Sequence, residues 1–419
     1  MCRRGVVDLV VLGTNAIRIR WAVQLDVQLG GRRLIAGRLA VTTARVHQQG
    51  ARQHEHRSEN FGAKNSLHAP NVSSRPNGRQ TDDVRVLAAV DKFKGTASAA
   101  DVARAIGHAC WELGFECDEV ALADGGEGTL DVLGGPNREN TVTGPLGDPV
   151  VAAWRFHQGT AVIEMARASG LTLVGGREHN DPIAASTTGT GELIDRALDL
   201  GAERIIVCLG GSATTDGGLG AVRAIHAPAR LKGVEFLIAC DVTTRFVDAA
   251  SVFAPQKGAT SSQIRLLTGR LERLVQMYKE NLGVDVSDIE GAGAAGGLAG
   301  GLVALGGKLI PGFELVADEV NLESRMKAAD IVITGEGCLD HTSYDGKVIG
   351  GVMEAATRLN KRVGAIVGRV DLDDELDREL MLPSPIADIS ALNGVERAMN
   401  EPLWCIEHAA LDVLRAMTS

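Results

Sequence analysis

Six residues, Arg204-Ile205-Ile206-Val207-Cys208-Leu209, form an apolar run that empties into Gly210-Gly211-Ser212-Ala213-Thr214-Thr215-Asp216-Gly217-Gly218. A run this short and apolar reads as a strand buried on both faces, as in a parallel sheet. Beyond Gly220 the pattern turns helical. The loop between is a natural anion cradle. Without Cβ atoms, Gly210 and Gly211 let backbone N–H groups converge, and Ser212, Thr214 and Thr215 add hydroxyl donors. Taken alone, the segment is also compatible with a plain strand-to-helix turn. Its recurrence elsewhere, each time with a charged side chain, is what singles it out.

The same grammar starts at 84–90, an apolar strand ending at Asp91, followed by Lys92-Phe93-Lys94-Gly95-Thr96. Ser98 then caps a helix, with Asp101 three residues on and Val102, Ile106, Cys110 and Leu113 at helical spacing. A second strand around 120–122 delivers Asp124-Gly125-Gly126-Glu127-Gly128-Thr129. Residues 161–165 read as a strand holding Glu164, and 186–191 precede a helix that Gly201 is suited to close. The strand predicted at 235–240 delivers Asp241. Residues 255–259, with Lys257, open a long amphipathic helix, and the run 291–298 is small enough for a helix to approach a neighbour closely. The strand 331–334 leads to Gly335-Glu336-Gly337-Cys338-Leu339-Asp340, and Gly346-Lys347 opens another helix. Strand-like 363–367, an acidic run at 371–379 and an amphipathic helix around 406–417 complete the pattern. In a parallel α/β sheet such loops emerge along one edge, where ligands bind.

A chain of 419 residues is long enough for two domains, and 51 glycines with only 3% aromatic residues suit an α/β enzyme rich in tight turns. The net charge of −10 argues against a nucleic-acid partner. Seven scattered cysteines, at 2, 110, 117, 208, 240, 338 and 405, make no CxxC pair and read as reduced residues of a cytoplasmic protein. The first eighty residues differ from the rest, with twelve Arg and one Lys against two Asp and two Glu. Residues 6–12 are too short for a membrane span, and the polar stretch 48–82 has little to bury. Residues 1–82 are therefore expected to form a poorly ordered extension without a catalytic role.

The chemistry implied is phosphoryl transfer without a familiar P-loop, since neither GxxxxGK[ST] nor a strand-linked GxGxxG is present. Such transfer needs donors for phosphates, carboxylates for Mg²⁺ and a group to orient the attacking hydroxyl. Strand ends supply Lys94, Lys257 and Lys347 as cations and Asp124, Asp216, Asp241, Glu336 and Asp340 as acids.

Nine segments taken in order resemble the bacterial glycerate kinase family over about 84–417. They include Asp91-x-Phe93-Lys94-Gly95, Ala123-Asp124-Gly125-Gly126-Glu127-Gly128-Thr129, the loop 210–218, Phe253-x-Pro255-Gln256-Lys257-Gly258-Ala259 and 333–340. The resemblance implies ATP-dependent phosphorylation of D-glycerate, favouring the 2-phospho product, with Mg²⁺. It also implies an α/β fold of two domains, a Rossmann-like parallel sheet domain from 83–140 and 285–419 and a smaller α/β domain from 141–284. The active site is expected in the interdomain cleft, in a monomer or homodimer that touches neither membrane nor nucleic acid. On this reading Asp241, Lys94 and Lys257 are catalytic; Gly210, Gly211, Ser212, Ala213, Thr214, Gly335 and Lys347 bind nucleotide; and Asp216, Glu336 and Asp124 bind metal. The sequence departs from the pattern at Lys92, Thr215 and Cys338, where the family has Ser, Asn and Arg, and in 243–248, which is about three residues short. Those departures raise the alternative of an impaired paralogue acting as a binding protein. An NAD-binding reductase would need the fingerprint that is missing.

Overall fold

The computed structural model describes residues 84–344, 346–372 and 381–419, with the backbone of five strands nearer the N-terminus. The chain divides into two units, Met1–Pro76 and Asn77–Ser419. In the first, β1 (Val6–Val11), β2 (Ile17–Ala22) and β5 (Ala40–Ala44) pair antiparallel in the order β1-β2-β5, and β3 (Leu25–Leu29) pairs antiparallel with β4 (Arg32–Ala36). The polar stretch 48–82 lies outside the described residues, as does most of the acidic run 371–379.

The second unit holds two sheets. The first is fully parallel, in the order β16-β15-β14-β6-β7, from β6 (Arg85–Val90), β7 (Glu116–Ala121), β14 (Ile331–Glu336), β15 (Arg362–Val367) and β16 (Ile386–Asp388). Its strands thus come from two distant parts of the chain. Between them runs a second sheet, β13-β12-β11-β10-β9-β8, built from β8 (Arg138–Thr143), β9 (Pro149–His157), β10 (Thr160–Glu164), β11 (Arg204–Cys208), β12 (Glu235–Ala239) and β13 (Lys308–Ile310). Strands β10 to β13 are parallel, whereas β8 and β9 pair antiparallel at one end. Its edge strand β13 lies beyond the boundary expected at 284, and β8 begins before 141.

Strand character follows from burial on both faces. In β6, Val86, Ala88 and Val90 pack under the helices Ala99–Leu113 and Pro402–Thr418, while Leu87 and Ala89 face a core shared with Val162, Ile206 and Leu237 of the other sheet. One continuous apolar layer therefore joins the two sheets. As expected, Ser98 caps the first helix, its Oγ accepting the Asp101 amide at 3.2 Å. The small-residue run is not a smooth helix. Ala295, Gly296 and Gly297 take left-handed dihedrals before the helix continues to Ala304. A methyl on Gly296 would stand 2.0 Å from the Thr214 carbonyl oxygen, so the run lets backbone seat directly under the 210–218 loop. Among the described residues no helix is long and apolar enough to cross a membrane.

Candidate active site

The loops after β6, β7, β11, β12 and β14 meet at the carboxyl ends of the parallel strands. The loop 124–129 is the junction. A methyl on Gly312 would stand 2.1 Å from the Asp124 carbonyl oxygen and 2.6 Å from Gly125 Cα, and one on Gly210 would stand 3.1 Å from Gly126 Cα. Backbone therefore touches backbone across the ends of both sheets, which only glycine permits at Gly125, where φ is +84°. Glu164, buried at the end of β10, fixes this loop. Its Oε1 accepts the amides of Gly128 and Leu130 at 2.8 and 2.9 Å, and Oε2 accepts Arg167 Nε at 3.1 Å.

Four acids gather around the junction. Asp241 follows β12 and accepts the Gly312 amide on Oδ1 at 2.6 Å. Burial pushes its carboxyl up to about 7, opposed by the Gly312 hydrogen bond, with Asp124 adding like-charge repulsion. Burial likewise raises Glu336 to about 7, opposed by Ser343 and Lys347, with Asp91 repelling. Asp91 rises to about 6 through burial, offset by Lys92 and reinforced by Asp124. Glu336 Oε1 is buried without a hydrogen-bond partner among the described residues. Desolvated carboxylates held against one another are the signature of a site that works on a cation or a proton. Asp91 had not been singled out as a site residue; its place at the end of the central strand β6 was the available signal.

The other expected residues fall into distinct settings. Lys347 precedes the helix Val348–Arg358, and its Nζ donates to Thr342 Oγ1 at 2.6 Å near Glu336. Lys94 is exposed, its backbone nitrogen beside Gly337. Gly335 lies inside β14, where the Ile366 carbonyl leaves no room for a side chain. Lys257 is only 2% exposed, and its Nζ donates to the Thr214 carbonyl at 2.6 Å. Burial lowers its ammonium to about 7, with Asp216 pulling the other way. Asp216 is already crowded with donors. Oδ2 accepts the Thr187 amide and hydroxyl at 2.9 and 2.8 Å and the Gly220 amide at 3.1 Å, while Oδ1 accepts the Gly218 amide at 3.1 Å. Asp216, within the 210–218 loop, and Lys257, bonded to that loop's Thr214 carbonyl, thus form a second group, separate in chemistry from the four acids. Among the described residues, no three acid, histidine or cysteine side chains stand ready to hold a metal ion.

Of the positions that depart from the family pattern, Lys92 Nζ stands 3.7 Å from Asp91 Oδ1, and Cys338 Sγ accepts Arg369 Nε at 3.2 Å. The short segment 243–248 is anchored by fully buried Phe246, which packs edge-on against Tyr278.

A glycine-hydroxyl loop abutting a strand-end cluster of desolvated acids is an arrangement that suits an α/β phosphotransferase. The comparisons with known proteins give its family. The model of the glycerate kinase family matches residues 86–229 and 225–418, and the chain belongs to that family. It is 39% identical over 330 residues to the glycerate 2-kinase of Escherichia coli K12, covering 69% of this chain and 86% of the relative. It is 38% identical over 373 residues to a glycerate kinase of Halalkalibacterium halodurans, covering 78% and 97%. A crystal structure from Salmonella typhimurium LT2, assigned as a glycerate kinase 2, superposes with a TM-score of 0.67 at 34% identity, covering 80% of this chain and 98% of that one.

Proposed function

We propose that this enzyme transfers the γ-phosphoryl group of ATP to a hydroxyl of D-glycerate, giving ADP and phosphoglycerate, with the 2-phospho product favoured. The observation that carries the reading is the convergence of Asp91, Asp124, Asp241 and Glu336 beside the 210–214 loop, in a chain of this family. Transfer to an alcohol asks for positioning and charge neutralisation more than covalent help. The loop 210–214 holds the nucleotide phosphates through those of its amides that are left unpaired, the Ala213 amide being taken by the Ser169 carbonyl. Asp241 orients the glycerate hydroxyl and accepts its proton. The amides of Gly312 and Phe313 hold the carboxylate in place, and a carboxyl near 7 is well matched to proton acceptance at neutral pH. Lys347 and exposed Lys94 offset the charge of phosphate or of the glycerate carboxylate.

The donor set suits Mg²⁺, which takes hard oxygen ligands. Glu336, with its unpartnered buried Oε1, and Asp124 would hold it, and the ion would neutralise phosphate charge. Asp216, whose oxygens already accept several donors, is proposed as the organiser of its own loop rather than as a ligand. The interdomain cleft expected from sequence is part of this proposal, as is a monomeric or dimeric assembly. The six cysteines described are all free, which supports a reducing, cytoplasmic setting. Coupled ADP release with ATP, Mg²⁺ and D-glycerate tests the assignment, and a phosphorus NMR spectrum of the product separates the 2- from the 3-phosphate. Absence of glycerate-dependent ADP release from folded protein would overturn it.

A further inference from the structure

The loop 210–215 is shaped from behind, by residues that pin its carbonyls. Leu171 N donates to the Gly211 carbonyl at 2.8 Å, Asn180 Nδ2 to the Ala213 carbonyl at 3.0 Å, and Lys257 Nζ to the Thr214 carbonyl at 2.6 Å. The same Asn180 amide nitrogen also donates to the Lys257 carbonyl at 2.9 Å, tying the two anchors together. In a trans peptide the carbonyl and the following N–H point in opposite directions. Drawing the carbonyls of Gly211, Ala213 and Thr214 into the protein therefore turns the amides of Ser212, Thr214 and Thr215 the other way. Among the described residues none of those three amides has an acceptor. Thr214 and Thr215 are nevertheless buried, and both hydroxyls are without a partner there. Buried donors left unpaired cost stability; the two hydroxyls are closed off, and the loop opens to solvent at Gly210 and Gly211, beside the Ser212 amide.

We infer that Asn180 is a positioning residue which, with Lys257, clamps the carbonyls of the 210–215 loop so that its amides face the anion. The inference rests on the reading of this loop as the nucleotide phosphate site. Lys257 performs the task whether charged or neutral, because an amine still donates. Asn180 cannot be replaced by its isostere, since Asp would set a carboxylate oxygen against two carbonyl oxygens.

The test compares Asn180→Asp and Asn180→Ala with a control, Ile194→Val, on the buried face of the helix Thr188–Asp199. ADP affinity is measured by calorimetry, together with kcat and both KM values. Both Asn180 variants should lose about tenfold or more in ADP affinity, with the KM for glycerate changed by less than about threefold. The control should be less stable yet bind ADP normally. Wild-type ADP affinity together with a wild-type KM for glycerate in either folded variant would overturn the clamp. Loss of glycerate binding with ADP binding intact would keep the clamp and instead overturn the assignment of the loop to the nucleotide.

Discussion

Gly312→Ala perturbs the site without touching any charged group. The added methyl would stand 2.1 Å from the Asp124 carbonyl oxygen and 2.6 Å from Gly125 Cα. Carbon and a carbonyl oxygen settle no closer than about 3 Å, so something must move by about 1 Å. Neither obstacle is the tip of a flexible side chain. Asp124 is held by a loop that Glu164 pins through two amides, and the Gly312 amide is itself the donor to Asp241 Oδ1. Asp124 and Asp241 must therefore separate, whichever side yields. A misplacement of this size costs on the order of 10²-fold in rate, and overpacking adds about 1–3 kcal/mol of destabilisation. The assay is coupled ADP release at saturating and limiting glycerate, at a temperature well below unfolding. Gly269→Ala serves as the control. It lies within the helix Ser261–Leu282 with no atom near the added methyl, so it should gain about 0.5–1 kcal/mol and keep full activity. A folded Gly312→Ala enzyme with kcat/KM within about threefold of wild type would refute the claim that this backbone contact sets the spacing of the acids.

Asp241→Asn keeps the hydrogen bond from Gly312 but removes the proton acceptor; kcat should fall by roughly 10²-fold or more with ADP affinity nearly intact, as steady-state kinetics and calorimetry would report. In the absence of ligands, Asp91, Asp241 and Glu336 titrate at about 6, 7 and 7 against ordinary values of 3.8, 3.8 and 4.5. The folded state binds more protons in that window, so these groups contribute stability that is present below pH about 4 and lost as pH rises through about 7. Thermal unfolding across pH should show this slope flattened in Glu336→Gln. Over the same window kcat/KM should rise with pH as Asp241 ionises, because the acceptor works only deprotonated. Deletion of residues 1–82, which lie outside the family match, should leave glycerate-dependent ADP release within about tenfold of the full chain.

The parallel strands and their terminal loops were legible because each carries its own signal, an apolar run closed by glycine and an acid. Ser98 as a cap is equally local. What sequence order cannot reveal is which loops share an edge. Glu164 reads as one polar residue in an apolar strand, and only the packing of β10 against the loop after β7 makes it an anchor. Asn180 sits in a polar stretch with no periodicity. Lys257 and Asp216 were legible as charged residues in glycine loops, yet their environments differ from that of the acid cluster. Lys257 is sealed under Thr214, and Asp216 accepts the amides of Thr187, Gly218 and Gly220, settings that charge type alone does not reveal. The bend at Ala295 was hidden for a different reason: a run of small residues is compatible with helix, and the left-handed turn is imposed by the Thr214 backbone against Gly296.

The parallel sheet β16-β15-β14-β6-β7 closes over a wide gap in the chain: Arg85 on β6 donates its amide to the Asp330 carboxylate, 245 residues away. During synthesis β6 and β7 emerge ahead of the other strands of the second unit and must wait for β14, while the intervening β8 to β13 can complete their own sheet beforehand. Early pairing of β6 with β7 leaves one edge of β6 open until the last quarter of the polypeptide leaves the ribosome. Long-range closure of this kind is slow, because loop entropy must be overcome before the contacts form. Chains truncated before residue 331 should accordingly carry a finished β8–β13 sheet beside an exposed β6 edge, and these nascent forms are where chaperone capture and aggregation should concentrate.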